Sequence, residues 1–435
     1  MVDMTLVLFN TDSYEAPGVS YLTYGLKKEG IDFELKLYSS DNRESKLILD
    51  DLYNFLADSG KIIALGCMSN MLPYVICVLK KIKKRYPEKV IILGGPGPSV
   101  SAEEILLKFR FVDFVIKGDG TFSLPNLVKI IQNGKTSMND VTGLVYRTKN
   151  IIISNDFNRY PDENIIPIHP PVVSGSIYYV VINTSWGCPY NCTYCDSRPL
   201  VGKKMIYKPL SIVMDEIKSI KCLTKNNHIR FMIGDEAFVV NRERVVEWCN
   251  LLKALKLKIE WTCFGRINAM DEELVKMMSE QGCKGIFYGV ESGSNRVLGK
   301  IRKGFSIEEA FKILLLSKKY LPITAAFIYR YPFETYEDFK ETLLALKYLR
   351  WNGIDWRLYP LSPVKGTDMY EQYKESIRFS IHEPCERAIN DNLKLLPDEC
   401  ISLIKSNQEI FYDYFYYSSE ELPKIMRALE FLSLD

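Results

Sequence analysis

Histidine is almost absent. Only three occur in 435 residues, His169, His228 and His382, and none falls in the first 168 positions, so that part of the chain offers no imidazole to a metal. Charge imbalance is missing too: 56 Lys and Arg against 54 Asp and Glu leave a net charge of +2. That gives no basic footprint, and nucleic acid is not an expected partner. The basic run "LKKIKKRYPEK" carries Leu79, Ile82 and Tyr86 at helical spacing and reads as the solvated face of a helix. No apolar stretch approaches the roughly 20 residues that cross a bilayer. The opening "MVDMTLVLFN" has too short an apolar run for a secretory signal. A cytoplasmic protein without a membrane span is expected. Internal repeats and low-complexity tracts are absent as well.

What is present is ordinary for a soluble protein, with 47% apolar and 25% charged residues and enough length for two or three domains. Eleven cysteines in a reducing compartment argue against a disulfide framework. Cys67, Cys77, Cys222, Cys249, Cys263, Cys283, Cys385 and Cys400 are scattered and read as packing residues.

The first part of the chain alternates strand-like and helix-like runs. "TLVLFN", "DFELKLY", "KIIALG", "VIILGG" and "DFVIKG" are the expected strands, separated by helices such as "GVSYLTYGLKK" and "PYVICVLKKIKK". Near-continuous apolar runs in the third and fourth strands predict a parallel sheet covered on both faces. In such sheets ligands bind at the carboxyl ends of the strands. Here those ends carry Gly-, Ser-, Asn- and Asp-rich loops, among them "GGPGPSV" and "GDGTFS". Residues 139–175 differ in texture: "GLVYRTKNIIISN" suggests a small hairpin, and "RYPDENIIPIHPPVVSG" an extended, proline-rich linker. From Tyr178 a second alternating series begins with "YYVVINT", "RFMIG", "EWTCF", "GIFYG", "ITAAFI" and "DWRLYP". Six β/α units predict a partial, TIM-like barrel. The expected organisation is α/β: a Rossmann-like doubly wound domain over 1–138, hairpin and linker over 139–175, a partial (β/α)6 barrel over 176–367 and a small helical region over 368–435. Within that last region the aromatic-rich "EIFYDYFYYSS" reads as packing.

One stretch carries chemistry. "SWGCPYNCTYCDS" places Cys188, Cys192 and Cys195 in a short loop directly after the first barrel strand, where barrel enzymes keep their active sites. Three thiolates at this spacing can wrap one metal centre. Zinc wants a fourth ligand, and the nearest candidates, Cys222 and His228, are far along the chain. An iron–sulfur cluster normally takes four cysteines, so three leave one iron open. Unrelated core thiols are the remaining reading.

The CxxxCxxC pattern resembles the signature of radical S-adenosylmethionine (radical SAM) enzymes. "IGDEAFVVN" and "FGRINAMDEELVKMMSEQGCKGIFYGVESGS" are similar to the second to fourth strands of the MiaB- and Elp3-like branch, and "YPFET" and "PLSPVKGTDMY" to its later loops. The resemblance covers about Tyr178 to Tyr370 and implies particular roles. Cys188, Cys192 and Cys195 would hold three irons of a 4Fe-4S cluster, whose fourth iron chelates SAM. Tyr194 would pack on the adenine, and Asp235 and Glu236 would receive the SAM ammonium. Glu291 would accept the ribose hydroxyls with Ser292 nearby, and Arg266 would pair with the carboxylate. An electron donor such as flavodoxin or ferredoxin is implied.

A parallel domain ahead of such a core resembles the cobalamin-binding domain of cobalamin-dependent radical SAM enzymes. That implies a cofactor tail threading past Gly94, Gly95 and Pro96, with Ser69, Asn70, Gly118, Asp119 and Gly120 around it. The chain departs from the family at "GGPGP", where GGPHP is frequent, and it lacks the DxHxxG motif. Cobalamin bound base-off, without a histidine ligand and with Tyr14 of the Thr11–Pro17 loop covering its lower face, is therefore expected. The implied function is a methyltransferase acting on an unactivated carbon through a 5′-deoxyadenosyl radical and methylcobalamin. Ring contraction, cyclisation or oxidation without methyl transfer is the alternative, and a cobalamin-binding regulator with a vestigial cluster loop a further one. Methylthiotransferases resemble the core but carry a second three-cysteine set in an N-terminal domain, where this chain has only Cys67 and Cys77. A peptide or protein side chain, an antibiotic precursor and a lipid all remain open as substrates.

Overall fold

The structure is a computed structural model that describes residues 3–10, 18–39, 45–134, 137–149, 151–169, 178–223, 229–379 and 397–432. Its first unit is a seven-stranded sheet of β1 (Met4–Asn10), β2 (Glu34–Ser39), β3 (Ile62–Gly66), β4 (Val90–Gly94), β5 (Phe114–Ile116), β6 (Leu144–Thr148) and β7 (Ile151–Ser154), in the order β2-β1-β3-β4-β5-β6-β7. β1 to β5 are parallel. The crossovers carry α1 (Gly18–Lys28), α2 (Ser45–Ala57), α3 (Leu72–Arg85), α4 (Pro96–Val100), α5 (Ala102–Lys108) and α6 (Ser123–Asn133). Helices on both faces explain the continuous apolar runs: Ile62, Ile63, Ala64 and Leu65 of β3 are all buried. The basic run is α3, with Leu79 and Ile82 buried and Lys80, Lys81 and Lys84 in solvent. Strand order reverses between β1 and β3, which opens a crevice at their carboxyl ends.

The hairpin expected within the linker is continuous with this sheet. β6 pairs antiparallel with β5, and β7 with β6. β5 has only three residues, and the hairpin covers what would otherwise be an open edge.

The second unit begins with β8 (Tyr178–Ile182). A short antiparallel ribbon follows, β9 (Ser185–Trp186) with β10 (Ile206–Tyr207), enclosing α7 (Ser197–Val201). β11 (Ile229–Ile233), β12 (Glu260–Gly265), β13 (Cys283–Glu291), β14 (Ile323–Tyr329) and β15 (Asp355–Pro360) then join β8 in a six-stranded, all-parallel sheet in sequential order. β8 and β15 stay at its two edges, as in a barrel that falls short of closure. The intervening helices are α8 (Leu210–Leu223), α9 (Arg242–Ala254), α10 (Glu272–Glu280), α11 (Asn295–Lys300), α12 (Ile307–Lys318) and α13 (Tyr336–Trp351). Local chemistry sets their starts: Ser306 with Glu309 and Thr335 with Asp338 form capping boxes on α12 and α13, and Asp271 caps α10. Trp248, Trp261 and Phe238 meet edge-to-face with ring centroids 5.7–6.1 Å apart in the core.

The last region is not wholly helical. Besides α14 (Asp368–Tyr373), α15 (Asp398–Lys405) and α16 (Leu422–Leu432), it holds an antiparallel ribbon of β16 (Ile377–Phe379) and β17 (Phe415–Tyr417). The aromatic stretch packs: Phe411, Tyr412, Tyr414, Phe415 and Tyr417 are buried. It also clamps the two units. Asp413 accepts from the Ser69 hydroxyl, the Tyr414 hydroxyl donates to the Asn70 carbonyl at 2.5 Å, and Ser101 donates to the Glu409 carbonyl at 2.7 Å. On the other side, the Arg330 guanidinium beyond β14 lies 4.6 Å from the Tyr416 ring centre, and the Tyr336 amide at the start of α13 donates to Glu421 at 3.3 Å.

Asp413 is fully buried, so Asp413→Ala should cost about 1–3 kcal/mol by stranding the Ser69 hydroxyl. It should also speed proteolytic cleavage within 397–432. Unchanged urea midpoint and cleavage rate would remove the clamp.

Candidate active site

The cysteine loop leaves the sheet at Asn183 and is tied down by Asp235 at the end of β11. One Asp235 oxygen accepts from the Thr184 amide at 2.7 Å; the other accepts from the Thr184 and Ser185 hydroxyls at 2.7 and 2.6 Å. Asp235 is fully buried, and burial raises its carboxyl pKa although these donors oppose the shift. The Arg244 guanidinium holds the Thr184 carbonyl at 2.8 Å. The turn then passes through Gly187, whose φ of +89° and whose Cβ position, 2.2 Å from the Lys204 carbonyl, admit no side chain. The Gly187 amide donates to Glu236 at 3.2 Å.

Cys192 is buried, and Cys188 and Cys195 are half-buried. Burial pushes the Cys188 thiol up and the Cys195 thiol to about 11, the latter with help from Asp196. Among the described residues, no three His, Cys, Asp or Glu side chains are grouped to hold a single metal ion. A multi-iron cluster offers each thiolate its own iron, and Cys188, Cys192 and Cys195 lie within one eight-residue loop, none of them in a disulfide.

Around the loop lie several of the expected residues. The Arg266 guanidinium stacks 3.5 Å from the Tyr190 ring centre and 3.8 Å from the Cys192 sulfur. Lys303 binds Glu291 at 3.3 Å and reaches the Tyr194 hydroxyl at 3.5 Å. Tyr194 meets Tyr331 edge-on at 6.1 Å. Glu291 leaves β13 through a register shift between Gly289 and Glu291 and has φ +80°, a strained conformation for a non-glycine residue. Lys303 and Tyr331 carry no sequence signal that would have singled them out. Their role arises only when β13 and β14 lie side by side.

Two expected SAM contacts are engaged elsewhere. Both Asp235 oxygens are committed to Thr184 and Ser185, so Glu236 is the acidic residue of the pair that remains open. Ser292 is fully buried, 3.3 Å from the Thr342 hydroxyl, and accepts from the Ser294 amide at 3.1 Å. It braces the turn after β13.

The carboxyl ends of the two sheets open onto one shared cavity of about 630 Å³. Gly94, Gly95, Pro96, Gly118, Asp119 and Gly120 line it, and Asn183, Trp186, Gly234 and Glu236 line its barrel side. The cavity extends as an apolar slot between the first sheet and its α1/α6 layer, past Leu6, Leu8, Ile92, Leu22 and Leu124. Gly95 and Gly118 have φ of +88° and +69°. A Cβ at Gly94 would meet nothing closer than 3.6 Å, so any larger side chain there would enter the slot. Ser69 and Asn70 are not in the lining, where Cys67 and Met68 stand instead; the Ser69 hydroxyl donates to Asp413 and the Asn70 backbone carbonyl accepts from Tyr414. Tyr14 and the Thr11–Pro17 loop lie outside the described residues. At Gly97 a Cβ would sit 2.7 Å from the Met68 and Ser69 backbone, so no histidine fits there on this backbone. His169 is buried against Glu216 at 2.9 Å, far in sequence from these strand ends. An apolar slot with a glycine mouth and a polar, acidic rim fits a large cofactor that buries a tail and exposes a reactive face.

Comparison with known proteins matches residues 182–346 to the Radical SAM superfamily. Those residues form a radical SAM domain. Such a domain implies a 4Fe-4S cluster and SAM. An uncharacterized methyltransferase of Pyrococcus horikoshii is 27% identical over 310 residues, 68% of this chain and 66% of that protein. The chain spans just under two thirds of the length of the curated relatives it matches first. In fold it is similar to the radical SAM methyltransferase TsrM of Kitasatospora setae with cobalamin and a [4Fe-4S] cluster bound, with a TM-score of 0.71 at 15% identity over 97% of this chain and 89% of that one. It is also similar to OxsB, a cobalamin-dependent SAM radical enzyme, with a TM-score of 0.66 at 17% identity over 97% of this chain and 65% of that one. The α/β architecture is therefore shared along nearly the whole length of this chain, first sheet included. No helix among the described residues is long and apolar enough to cross a membrane.

Burial, with Asp235 adding to it, pushes the Glu236 carboxyl to about 7. The folded state thus holds this proton more tightly than the unfolded chain. The resulting penalty is absent below about pH 4.5 and complete only above about pH 7. Glu236→Gln should match the parent near pH 4 and exceed it by about 1–3 kcal/mol at pH 8, read from urea midpoints across that range. A difference independent of pH would sink the assignment.

Proposed function

We propose that the chain is a cobalamin-dependent radical SAM methyltransferase acting on an unactivated carbon. The observation that carries this reading is the shared cavity, which brings the cysteine-loop side of the barrel to the glycine-lined ends of the first sheet. When bound, the cluster and SAM supply a carbon-centred radical, and cobalamin supplies the methyl group.

The chain's own residues bind and orient. Cys188, Cys192 and Cys195 ligate the cluster. Glu236 receives the SAM ammonium, and its carboxyl, poised near 7, ionises readily once a cation is beside it. Arg266, stacked on Tyr190, pairs with the SAM carboxylate. Glu291 accepts the ribose hydroxyls with one oxygen while Lys303 restrains the other. Tyr194 packs on the adenine against Tyr331. Gly94, Gly95, Pro96, Gly118, Asp119 and Gly120 admit the cobalamin tail, and the walls contributed by both units exclude water. Cobalamin is held base-off without a histidine on cobalt, consistent with the closed backbone around Gly97. The enzyme works in the cytoplasm with flavodoxin or ferredoxin as electron donor, on a peptide or protein side chain, an antibiotic precursor or a lipid.

A second reading keeps both cofactors but ends in ring contraction, cyclisation or oxidation. The fold shared with OxsB, described as a cobalamin-dependent SAM radical enzyme, favours it equally. Products separate the two: methyl transfer yields one S-adenosylhomocysteine and one 5′-deoxyadenosine per methylated product, whereas deoxyadenosine alone supports the second reading. A full cluster with no SAM cleavage would support the regulator instead.

Gly94→Val should abolish cobalamin uptake while leaving iron content intact, measured by cofactor analysis after anaerobic reconstitution. Cobalamin retained at parent level would exclude the slot as its site. In the parent, an EPR spectrum of the cob(II)alamin form should lack nitrogen superhyperfine splitting. Its presence would overturn the base-off proposal.

A further inference from the structure

An ion pair is buried beside the interdomain cavity without lining it. Lys208, just beyond β10, and Glu216 of α8 are both buried, and their side chains meet at 2.5 Å. The other Glu216 oxygen lies 2.9 Å from the His169 ring. A buried pair of this kind is weak evidence for stability, because apolar residues of similar volume serve the fold as well. Its position gives it another use. The Lys208 ammonium also donates to the Tyr21 hydroxyl of α1 at 3.3 Å, and Tyr21, unlike Lys208, lines the cavity.

An ammonium carries donors and no acceptor. Tyr21 must therefore accept in that contact, which leaves its own O–H for a different partner. Among the described residues no acceptor receives this proton. Burial, with the Glu216, Asp119 and Asp235 carboxylates, pushes the Tyr21 pKa up, so the hydroxyl keeps its proton and stays a donor. Its oxygen is fixed by Lys208, and its ring meets Trp186, another wall residue, edge-on at 6.3 Å. The donation from a cation also polarises the hydroxyl and strengthens it as a donor.

Position selects the acceptor. The next residue, Leu22, walls the apolar slot, and a Cβ on Gly120 would stand 3.0 Å from the Leu22 side chain. This part of α1 thus lies against the loop at the slot's mouth. A ligand that buries its tail in the slot brings its wider part beside Tyr21. Glu236 and Asp119 are in the same lining and disfavour an anion there. A neutral carbonyl oxygen is the acceptor that fits.

We propose that Tyr21 is the hydrogen-bond donor that fixes the cofactor ring in the cavity, binding an amide carbonyl on the rim of a corrin, and that Lys208 is a positioning residue acting through it. The inference rests on the cobalamin reading of the cavity. Tyr21 comes from the first unit and Lys208 from the second, so the hydroxyl is aimed only where the two units meet.

Equilibrium dialysis of the full chain against two corrins tests this: hydroxocobalamin, and cobinamide, which keeps the ring and its amides but lacks the nucleotide tail. Tyr21→Phe removes one oxygen and keeps the ring packed on Trp186, so without a corrin it should melt with the parent. It should raise the dissociation constant about tenfold for both corrins. Gly94→Val, which fills the slot, should instead lose cobalamin and keep cobinamide. Lys208→Met/Glu216→Gln replaces the buried pair by neutral groups. It should weaken both corrins in the parent background and neither in the Tyr21→Phe background, because both changes act through one hydroxyl. A role in core packing alone would make the losses additive. A parent that binds neither corrin would overturn the cobalamin reading and this inference with it. A parent that binds both overturns the inference alone if Tyr21→Phe binds them equally well, if its loss is confined to cobalamin, or if the losses add.

Discussion

The carboxylate of Asp235 is the fixed point of the site. It joins β11 to the first residues beyond β8 through three short hydrogen bonds. A buried acid is costly unless its oxygens are satisfied, so the Thr184–Ser185 turn has little freedom to sit anywhere else. From that turn the chain enters the cysteine loop through a glycine that no other residue can replace. The neighbouring Glu236 is thereby turned toward the cavity, and its carboxyl pays for the position with a pKa raised to about 7. Structural anchor and candidate ligand are thus adjacent residues with opposite environments.

The second constraint acts between the units. The parallel strands of the two sheets each present a carboxyl edge, and either edge alone would be an ordinary ligand crevice. Facing them across one cavity requires something to hold the units together, and the segment 397–417 does so with aromatic packing on one side and hydrogen bonds to Asn70, Ser69 and Ser101 on the other. That segment takes up the Ser69 hydroxyl and the Asn70 backbone carbonyl at the end of β3. The glycines at the ends of β4 and β5 are left to define the slot. At Gly97 the same close packing of α4 on the loop after β3 removes the space a histidine would need.

Much of this was legible in the sequence because periodicity and turn chemistry are local. All six barrel strands, the five parallel strands of the first sheet and the helices between them follow from apolar runs bounded by Gly, Asn, Asp and capping residues. The cysteine spacing, the acidic pair after β11 and the glycines after β4 and β5 are likewise local patterns. What the sequence did not show were partners that lie far along the chain. Asp235 bonds Thr184 and Ser185, and Ser292 lies beside Thr342. The Ser69 hydroxyl and the Asn70 carbonyl are met by Asp413 and Tyr414 from the other end of the chain, and the β6/β7 hairpin joins the first sheet through β5.

The sequence by itself determined the alternation of strands and helices, the three thiols in one loop and the absence of histidine from the first unit, because each is a matter of residue type and short-range spacing. Only the tertiary structure decided which polar groups are spent on the fold and which remain open to a ligand. A buried donor or acceptor must find a partner wherever the chain brings one. That partner, and with it the distinction between Asp235 and Glu236, is a property of packed strands rather than of any stretch of sequence.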